Sequence, residues 1–455
     1  MVAVLQQLKK EKKFLIFLFL FSLGIRFLVF GLFLSKNKNY WSSDSFVYHD
    51  VAVQITEGKG IYNHDGSPTF YRVPGYSFFL ATCYKILGED IKMALWVQAF
   101  FASFIPILIF LISLIFFPAN LLLAKISSIY SAFHLGFIVF SGMAMAETFF
   151  SFFFFLFLIL FFSCFNSCRY KLFLAGFFLG LASLVRPVGH YLIFLSLLIL
   201  IFSSVGFLNK IKNSLLLFAG WLLVVFGWLL RNYLLTGFIF FHTLPGVHFL
   251  KHSAGRVAMY VYNCSYMGAL TALHEEVEVL TKEKEKDLNR KINEIEFCHI
   301  TEKVAFKYLV DNPFLTIKHA FINMFKTCFS LYSAELLYID SGGKLPDYNK
   351  NRGWLDILKR FLVPQVTSNF LALIIYLEII FFLFILIGFG GFVLKALFIK
   401  DYFYLLCKIL PFIFLFVFIS LSCGFARLRL PIEPFLIILS FKFWLEVLRR
   451  KRVVL

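Results

Sequence analysis

Ten runs of roughly twenty apolar residues follow one another along the chain, and no other feature limits its fold as strongly. They fall at about 14–34, 93–117, 120–141, 147–163, 171–187, 189–208, 214–235, 368–394, 402–422 and 431–447. A stretch of about twenty such residues, wound as a helix, crosses the ~30 Å hydrocarbon layer of a bilayer. The expected fold is therefore an all-α polytopic membrane protein, a bundle of about ten transmembrane helices. Composition closes the alternatives: 60% of the residues are hydrophobic, 20% aromatic with 65 Phe, and only 15% charged, with a mean hydropathy of +0.82. A soluble domain carries about 25% charged residues and cannot hide this much apolar side chain in one core. A soluble enzyme, a disordered chain and a nucleic-acid-binding module are excluded on these grounds.

Charge then orients the bundle. Lys9 to Lys13 read KKEKK immediately before the first run, which is too long for a signal-peptide core and lacks a small-x-small cleavage site after it. With the N-terminus in the cytoplasm, the turns assigned to that side hold Lys125, then Arg169 and Lys171, then Lys210 and Lys212, then Lys395 and Lys400. The chain ends in Arg449, Arg450, Lys451 and Arg452. Each short turn on that side is basic, as the positive-inside rule demands, and an even number of spans keeps both basic termini in the cytoplasm. The net charge of +18 thus follows topology rather than a nucleic-acid-binding stripe.

Two segments on the other side are long enough to do chemistry: about 35–90, and 236–367. They divide the chain into an N-terminal transmembrane module over 1–235, a large extracytoplasmic region over 236–367 and C-terminal transmembrane helices over 368–455. Glu275 to Glu296 has Val277, Leu280, Leu288, Ile292 and Ile295 at near-helical spacing, which predicts one amphipathic helix with a solvated charged face. Phe314 to Tyr332 mixes Lys318, His319 and Lys326 with Phe and Ile, which suits a helix lying in the membrane interface. No internal repeat is visible.

Five arginines break the positive-inside pattern. Arg72, Arg186, Arg231, Arg427 and Arg429 all fall at the outer ends of spans or in outer turns. A cation at that level is costly unless it is paired, snorkels to headgroups or faces a wet cavity. Five from separate spans at one level favour a shared function, and the guanidinium fork is suited to phosphate. Acidic residues lie on the same side: Asp44 and Asp50 in WSSDSFVYHD, and Glu147 at the outer end of the fourth span. Each is either a helix N-cap or a working carboxylate, a general base or ligand beside the arginines.

With these residues in view, the sequence resembles the GT-C glycosyltransferases, in particular the family 39-like group that includes protein O-mannosyltransferases and the lipid A aminoarabinose transferase. The resemblance rests on SSDSFVYHDVAVQITEGKGIY and PTFYRVPGYSFFLATCYKILGED in the first loop, then GLASLVRPVGH, GWLLRNYLLTGFIFF and ARLRLPIEPFLIIL. It runs from Asp44 to about Leu439. Where the family often has two adjacent acidic residues, Ser45 follows Asp44 here; its PGYP pattern ends in Ser77; and no soluble domain follows the last span.

The resemblance implies an enzyme that moves a sugar from a polyprenyl-phosphate carrier to an acceptor hydroxyl on the periplasmic face, with inversion at the anomeric carbon. In that scheme Asp44 is the general base. Arg72, with Arg186, Arg231, Arg427 and Arg429, binds the lipid phosphate of the donor and steadies its developing charge. Glu147, Asp50, Tyr48, Tyr76 and His248 bind the sugar or the acceptor, with Tyr71 a further aromatic candidate for the sugar face. Since arginines can neutralise a lipid monophosphate, no metal and no other cofactor is expected. The partners are a polyprenyl-phosphate-linked sugar, a lipid, glycan or protein acceptor, and membrane lipid, with no nucleic acid. Abundant Phe and Lys point to an AT-rich genome and a bacterial inner membrane.

Other marks carry less. His242, His248 and His252 are spaced six and four apart with no interleaved carboxylate, unlike the zincin motif. Eight Cys show no paired framework; Cys164 and Cys168 read as free thiols, while Cys264 and Cys298 share a side on which pairing is open. Glu378 lies inside a span, as a functional group or as a helix–helix hydrogen-bonding one. The alternative function is a transporter or flippase of lipid or lipid-linked glycan. A transporter should show broken midplane helices or a repeat between halves, and the sequence shows neither.

Overall fold

The computed structural model describes residues 7–35, 41–164, 170–203, 206–340 and 369–454. All regular structure among them is helical apart from one isolated bridge between Tyr62 and Pro68. In chain order the helices are α1 (Lys12–Ser35), α2 (Ser43–Thr56), α3 (Gly75–Leu87), α4 (Ile91–Ala102), α5 (Ile105–Phe116), α6 (Leu121–Phe133), α7 (Leu135–Val139), α8 (Glu147–Ser163), α9 (Tyr170–Val185), α10 (Val188–Ile201) and α11 (Phe207–Thr236). There follow α12 (Leu244–His248), α13 (Gly255–Val261), α14 (Tyr266–Leu288), α15 (Glu294–Asp311), α16 (Pro313–Phe329), α17 (Ser333–Asp340), α18 (Asn369–Ala396), α19 (Lys400–Ile419) and α20 (Glu433–Val454).

Among the described residues each expected apolar run is mainly helical, and the chain is an all-α polytopic membrane protein. Five stretches are long and apolar enough to cross a bilayer unaided: Lys12–Gly31, Ile91–Phe116, Phe207–Thr236, Asn369–Ala396 and Lys400–Ile419. The helices Leu121–Phe133, Glu147–Ser163, Tyr170–Val185 and Val188–Ile201 are shorter. Two expected spans are interrupted. The run at 93–117 turns at Ser103 and Phe104 before Pro106 restarts α5, a position where proline's missing N–H costs nothing. The run at 120–141 breaks at His134, whose extended backbone separates α6 from α7. Large apolar side chains such as Phe194, Leu223, Leu234, Phe381 and Phe414 face outward, where only lipid can cover them.

Close helix approach does what the hydrophobic effect cannot do inside lipid. At the α9–α11 crossing, a Cβ on Gly176 would meet the Leu217 carbonyl at 2.0 Å, and one on Gly220 would meet the Phe173 carbonyl at the same distance. The two glycines let the backbones touch. Phe rings from α8, α19 and α20 fill the centre, including Phe150, Phe154, Phe157, Phe412 and Phe435.

The two ends of the bundle differ. At the end where α1 begins, Lys125 pairs with Glu11 at 2.7 Å, and Glu446 takes Lys395 and Lys442, both at 3.0 Å. The predicted Arg169, Cys168 and the stretch 341–367 lie outside the described residues. At the other end sit α2, α3 and the segment 236–340. Within that segment, Leu250, Ala254, Ala258, Leu273, Val277, Ile300 and Val304 form a small separate core. The single amphipathic helix expected over Glu275–Glu296 is corrected: α14 ends at Asn289, which adopts a left-handed conformation (φ 49°), and α15 starts afresh behind an Asn293–Glu296 capping box. In α16, Phe314, Ile317, Phe321, Phe325 and Phe329 are exposed while Asn323 and Thr327 are buried. The exposed apolar residues thus share one face of the helix.

Cys264 and Cys298, whose pairing the sequence leaves open, are both free thiols. Cys298 donates to the Thr243 carbonyl instead. Glu378 is a structural acceptor. Its two oxygens take the backbone N–H groups of Tyr332 (2.6 Å) and Ser333 (2.9 Å), capping the start of α17 from within α18.

Candidate active site

Asp44 occupies the first turn of α2, where the helix dipole favours a carboxylate. That turn is fixed twice. Ser42 and Ser45 form a capping box, and the Ser45 hydroxyl donates to the Ala144 carbonyl at 2.8 Å. Ala144 belongs to the tight turn 140–146, which leads into α8 and its first residue, Glu147. Gln98 holds this turn from α4, its amide donating to the carbonyls of Phe140, Ser141 and Met143. Asp44 and Glu147 are thus referenced to one another by buried hydrogen bonds.

Three arginines meet them. Arg72 Nη2 lies 2.6 Å from Asp44 Oδ1, and Arg427 Nη1 lies 3.0 Å from Asp44 Oδ2. The same Arg427 nitrogen is 3.9 Å from Glu147 Oε1, which Arg186 reaches at 3.1 Å. The result is an alternating chain, Arg72–Asp44–Arg427–Glu147–Arg186, drawn from five separate segments at one end of the bundle. None of these side chains is more than 22% exposed. The Arg72 guanidinium also lies between two rings, 5.6 Å from that of Tyr48 and 5.3 Å from that of Tyr71.

The electrostatics are strongly coupled. Burial by itself raises the Asp44 carboxyl, but Arg427 and then Arg72 outweigh it and hold the group well below the usual carboxylate range. Arg72 and Arg427 each keep a buried Nε–H with no acceptor. A buried donor left unmade costs about 1–3 kcal/mol, so two such donors flanking one carboxylate mark a place suited to another acceptor.

Arg72 is delivered by a strap, residues 57–74, that passes over α2. Gly58, Gly60 and Gly66 supply the positive φ values its turns need. Arg231 clamps the strap: Nη2 donates to Ile61 O at 2.7 Å and Nη1 to Thr69 O at 3.3 Å, with the guanidinium over Phe70 and Trp228. Glu294, at the start of α15, accepts the Phe70 N–H at 3.0 Å and the Thr243 hydroxyl. The Thr243 N–H returns to the Phe70 carbonyl at 3.0 Å.

Several sequence candidates therefore separate from the cluster. Of the five arginines expected at the lipid phosphate, Arg231, which holds the strap, and Arg429 lie outside the cluster. Arg429 is buried, with Nε on Glu433 at 2.7 Å and Nη1 on the carbonyls of Thr327, Cys328 and Ser330. It latches the end of α16 to α20. Tyr76 is fully buried and donates to Gln98, which places it in the scaffold rather than on a sugar face. Tyr48, packed edge-to-face on Tyr76, is buried beneath Arg72. Asp50 is exposed, six residues and nearly two turns along α2, on the side away from Asp44.

His248 stands nearer. Its ring is 3.4 Å from both Ser422 Oγ and Cys423 Sγ. Burial, with the Arg427 and Arg72 charges adding to it, pushes the imidazole down to about 4. The ring of His252 lies 4.6 Å from it, tilted by 53°. Among the described residues no group of three or more His, Cys, Asp or Glu is arranged to hold a metal.

Sequence reasoning missed Gln98, Glu294 and Glu335. Glu335, on α17, is half-buried, and its carboxyl feels the charges of Arg427, Glu147 and Asp44. Its signal, an acid in SAELLYID within a long loop, was indistinguishable from a solvated residue. Gln98 was hidden inside an apolar run, where an uncharged amide raises no alarm.

No family model matches the chain, and no curated protein matches it. Among solved structures it is similar to ArnT from Cupriavidus metallidurans in two crystal structures. The one bound to undecaprenyl phosphate is 10% identical, with a TM-score of 0.41 over 95% of this chain and 77% of that one. The apo structure is 11% identical, with a TM-score of 0.35 over 90% of this chain and 76% of that one.

Proposed function

We propose that this protein is a glycosyltransferase of the bacterial inner membrane, with both termini cytoplasmic. It takes a sugar from a polyprenyl-phosphate carrier and passes it to an acceptor hydroxyl at the periplasmic face, with inversion. The observation that carries this reading is the Asp44 carboxylate held between Arg72 and Arg427, each with an orphaned Nε–H. The ordered motifs of the sequence support it independently.

The geometry suits an exchange of partners. In the resting cluster Asp44 occupies the two arginines. A donor phosphate entering between them accepts from Arg72 and Arg427, including the unused Nε–H groups, and releases Asp44. The freed carboxylate takes the proton of the acceptor hydroxyl. The acceptor oxygen then bonds to the anomeric carbon from the face opposite the carrier. The bond from that carbon to the phosphate oxygen breaks, and its electron pair leaves with the polyprenyl phosphate. Arg72, Arg427 and Arg186 stabilise the added negative charge in a site that is mostly shielded from water. These three guanidiniums stand where other enzymes use a divalent cation, so the reaction is proposed to need none.

The test is release of polyprenyl phosphate from radiolabelled polyprenyl-phosphate sugars in reconstituted liposomes, wild type against Asp44→Asn. Release by wild type and none by a folded Asp44→Asn supports the assignment. Equal release by both removes Asp44 as the base. Movement of intact carrier across the bilayer without cleavage, equal in both proteins, replaces the enzyme with a flippase.

A further inference from the structure

The two faces of α16 have different neighbours. Phe314, Ile317, Phe321, Phe325 and Phe329 recur at helical spacing and are 40% to 78% exposed. Asn323 and Thr327, on the opposite face, are 4% and 1% exposed.

The inner face is fastened to the turn 420–429 between α19 and α20, which carries Arg427. Asn323 Nδ2 donates to the Leu421 carbonyl at 3.0 Å. A Cβ on Gly424 would collide with the Asn323 carbonyl oxygen, so backbone lies directly on backbone there. At the end of the helix, Arg429 Nη1 donates to the carbonyls of Thr327 (3.1 Å), Cys328 (2.7 Å) and Ser330 (3.1 Å). Between these ties the Phe425 ring lies 5.2 Å from the Arg427 guanidinium. Arg427, the partner of Asp44, thus stands on a turn that α16 holds from both sides.

The outer face has a depth and a charge. Leu421 lies just beyond Ile419, where the membrane-length helix α19 ends. α16 therefore crosses the end of a span, at the level where hydrocarbon gives way to headgroups. Phe414 and Phe418 of α19 are exposed just short of that level, where lipid must cover them. α16 itself carries Lys318 and Lys326 and no acid, a balance that suits lipid phosphates. An interface with another protein is ringed by polar groups that pair across it. The apolar stripe here, phenylalanines and one isoleucine, offers no hydroxyl or amide for such pairing.

We infer that α16 seats this face in the headgroup–acyl boundary of the bilayer and, from that footing, holds the turn that carries Arg427. The bilayer is then part of what positions the charged cluster. The consequence for catalysis rests on the glycosyltransferase reading; the footing and the hold do not.

The test uses the full chain in phosphatidylcholine nanodiscs that contain a lipid with a photoreactive diazirine on its acyl chain. Lipid adducts are mapped by mass spectrometry. In parallel, N-ethylmaleimide alkylation of Cys423, buried in the same turn, is timed against that of Cys83, buried in α3. Wild type should carry adducts on Phe314, Ile317, Phe321 and Phe325 and label slowly at both thiols. Phe321→Gln combined with Phe325→Gln should lose those adducts and label about tenfold faster at Cys423 alone. The pair Phe321→Leu and Phe325→Leu should match wild type. Wild type without adducts on α16 gives the face to another protein and overturns the footing. Cys423 that stays slow after the adducts are lost, or that speeds up in step with Cys83, overturns the hold. Should the glutamine pair fail to fold, Asn323→Ala decides, since it cuts the tie and keeps the apolar face. Adducts retained with faster Cys423 labelling support the hold, and unchanged labelling overturns it. Neither readout needs turnover: an inactive protein with these adducts keeps the footing, and an active one without them loses it while remaining a glycosyltransferase.

Discussion

Arg427 is the hinge of the charged cluster, since one of its nitrogens serves both Asp44 at 3.0 Å and Glu147 at 3.9 Å. Arg427→Gln removes that charge and keeps a similar volume. A charge-assisted hydrogen bond contributes about 1.5–3 kcal/mol, and each 1.4 kcal/mol is about tenfold. The donor kcat/KM should therefore fall about 10- to 100-fold. Folding should suffer less than the ~3–5 kcal/mol of a fully broken buried pair, because Asp44 keeps Arg72 and Glu147 keeps Arg186. The pH profile supplies a second readout. In the proposed reaction Asp44 acts as its carboxylate, and Arg427 is the largest of the charges that lower it. Without Arg427 the carboxyl titrates higher, so activity is lost at a higher pH on acidification. Stability follows the same sign: the folded value is depressed, so the pair's contribution is complete above the unfolded value near 3.9 and is lost as pH falls through the folded one. The assay is initial-rate carrier release in liposomes between pH 4 and 8, a range set around ordinary carboxylate and imidazole values. Arg427→Lys should recover part of the rate but not the bridge to both acids. A kcat/KM within about twofold of wild type with an unmoved acid limb would refute the reasoning.

Arg231→Gln should free the strap, seen as faster proteolysis near residues 57–74 and a lower kcat with donor binding largely retained. Arg429→Gln should act on folding: it leaves the fully enclosed Glu433 short of its guanidinium, a loss of about 3–5 kcal/mol read as a lower Tm and poor yield. Saturating chelator should leave carrier release unchanged if, as proposed, arginines supply the positive charge; loss of activity restored by one divalent cation would overturn that assignment.

The sequence made the bundle legible because apolar runs of transmembrane length have no other stable home, and among the described residues each is mainly helical. The interruption at His134 was not legible, since a backbone break in an apolar run leaves no compositional trace. It matters, because it lets the turn 140–146 fold back beneath Asp44. The outer arginines were visible as exceptions to charge topology, but their division was not. Arg72, Arg186 and Arg427 converge on Asp44 and Glu147, while Arg231 ends on backbone carbonyls and Arg429 divides itself between Glu433 and three backbone carbonyls. A carbonyl partner has no residue code, so nothing in the one-dimensional pattern tells the two kinds apart. Asp50 and Tyr76 show the converse failure. Each lies within a few residues of Asp44 or Arg72, yet helix geometry turns one to solvent and the other into the core.

The cluster also contains its own decoys. With Asp44 and Glu147 already seated on the guanidiniums, the arginines present no bare positive face to the anionic headgroups that crowd any membrane surface. A passing phospholipid must displace an internal carboxylate that is tethered at the site and so never dilutes away. Only a ligand that brings further contacts, through its sugar or its long isoprenoid tail, gains enough to make that exchange worthwhile. On the proposed reaction, selectivity against the most abundant phosphates in the bilayer would arise from carboxylates that stand in for the substrate.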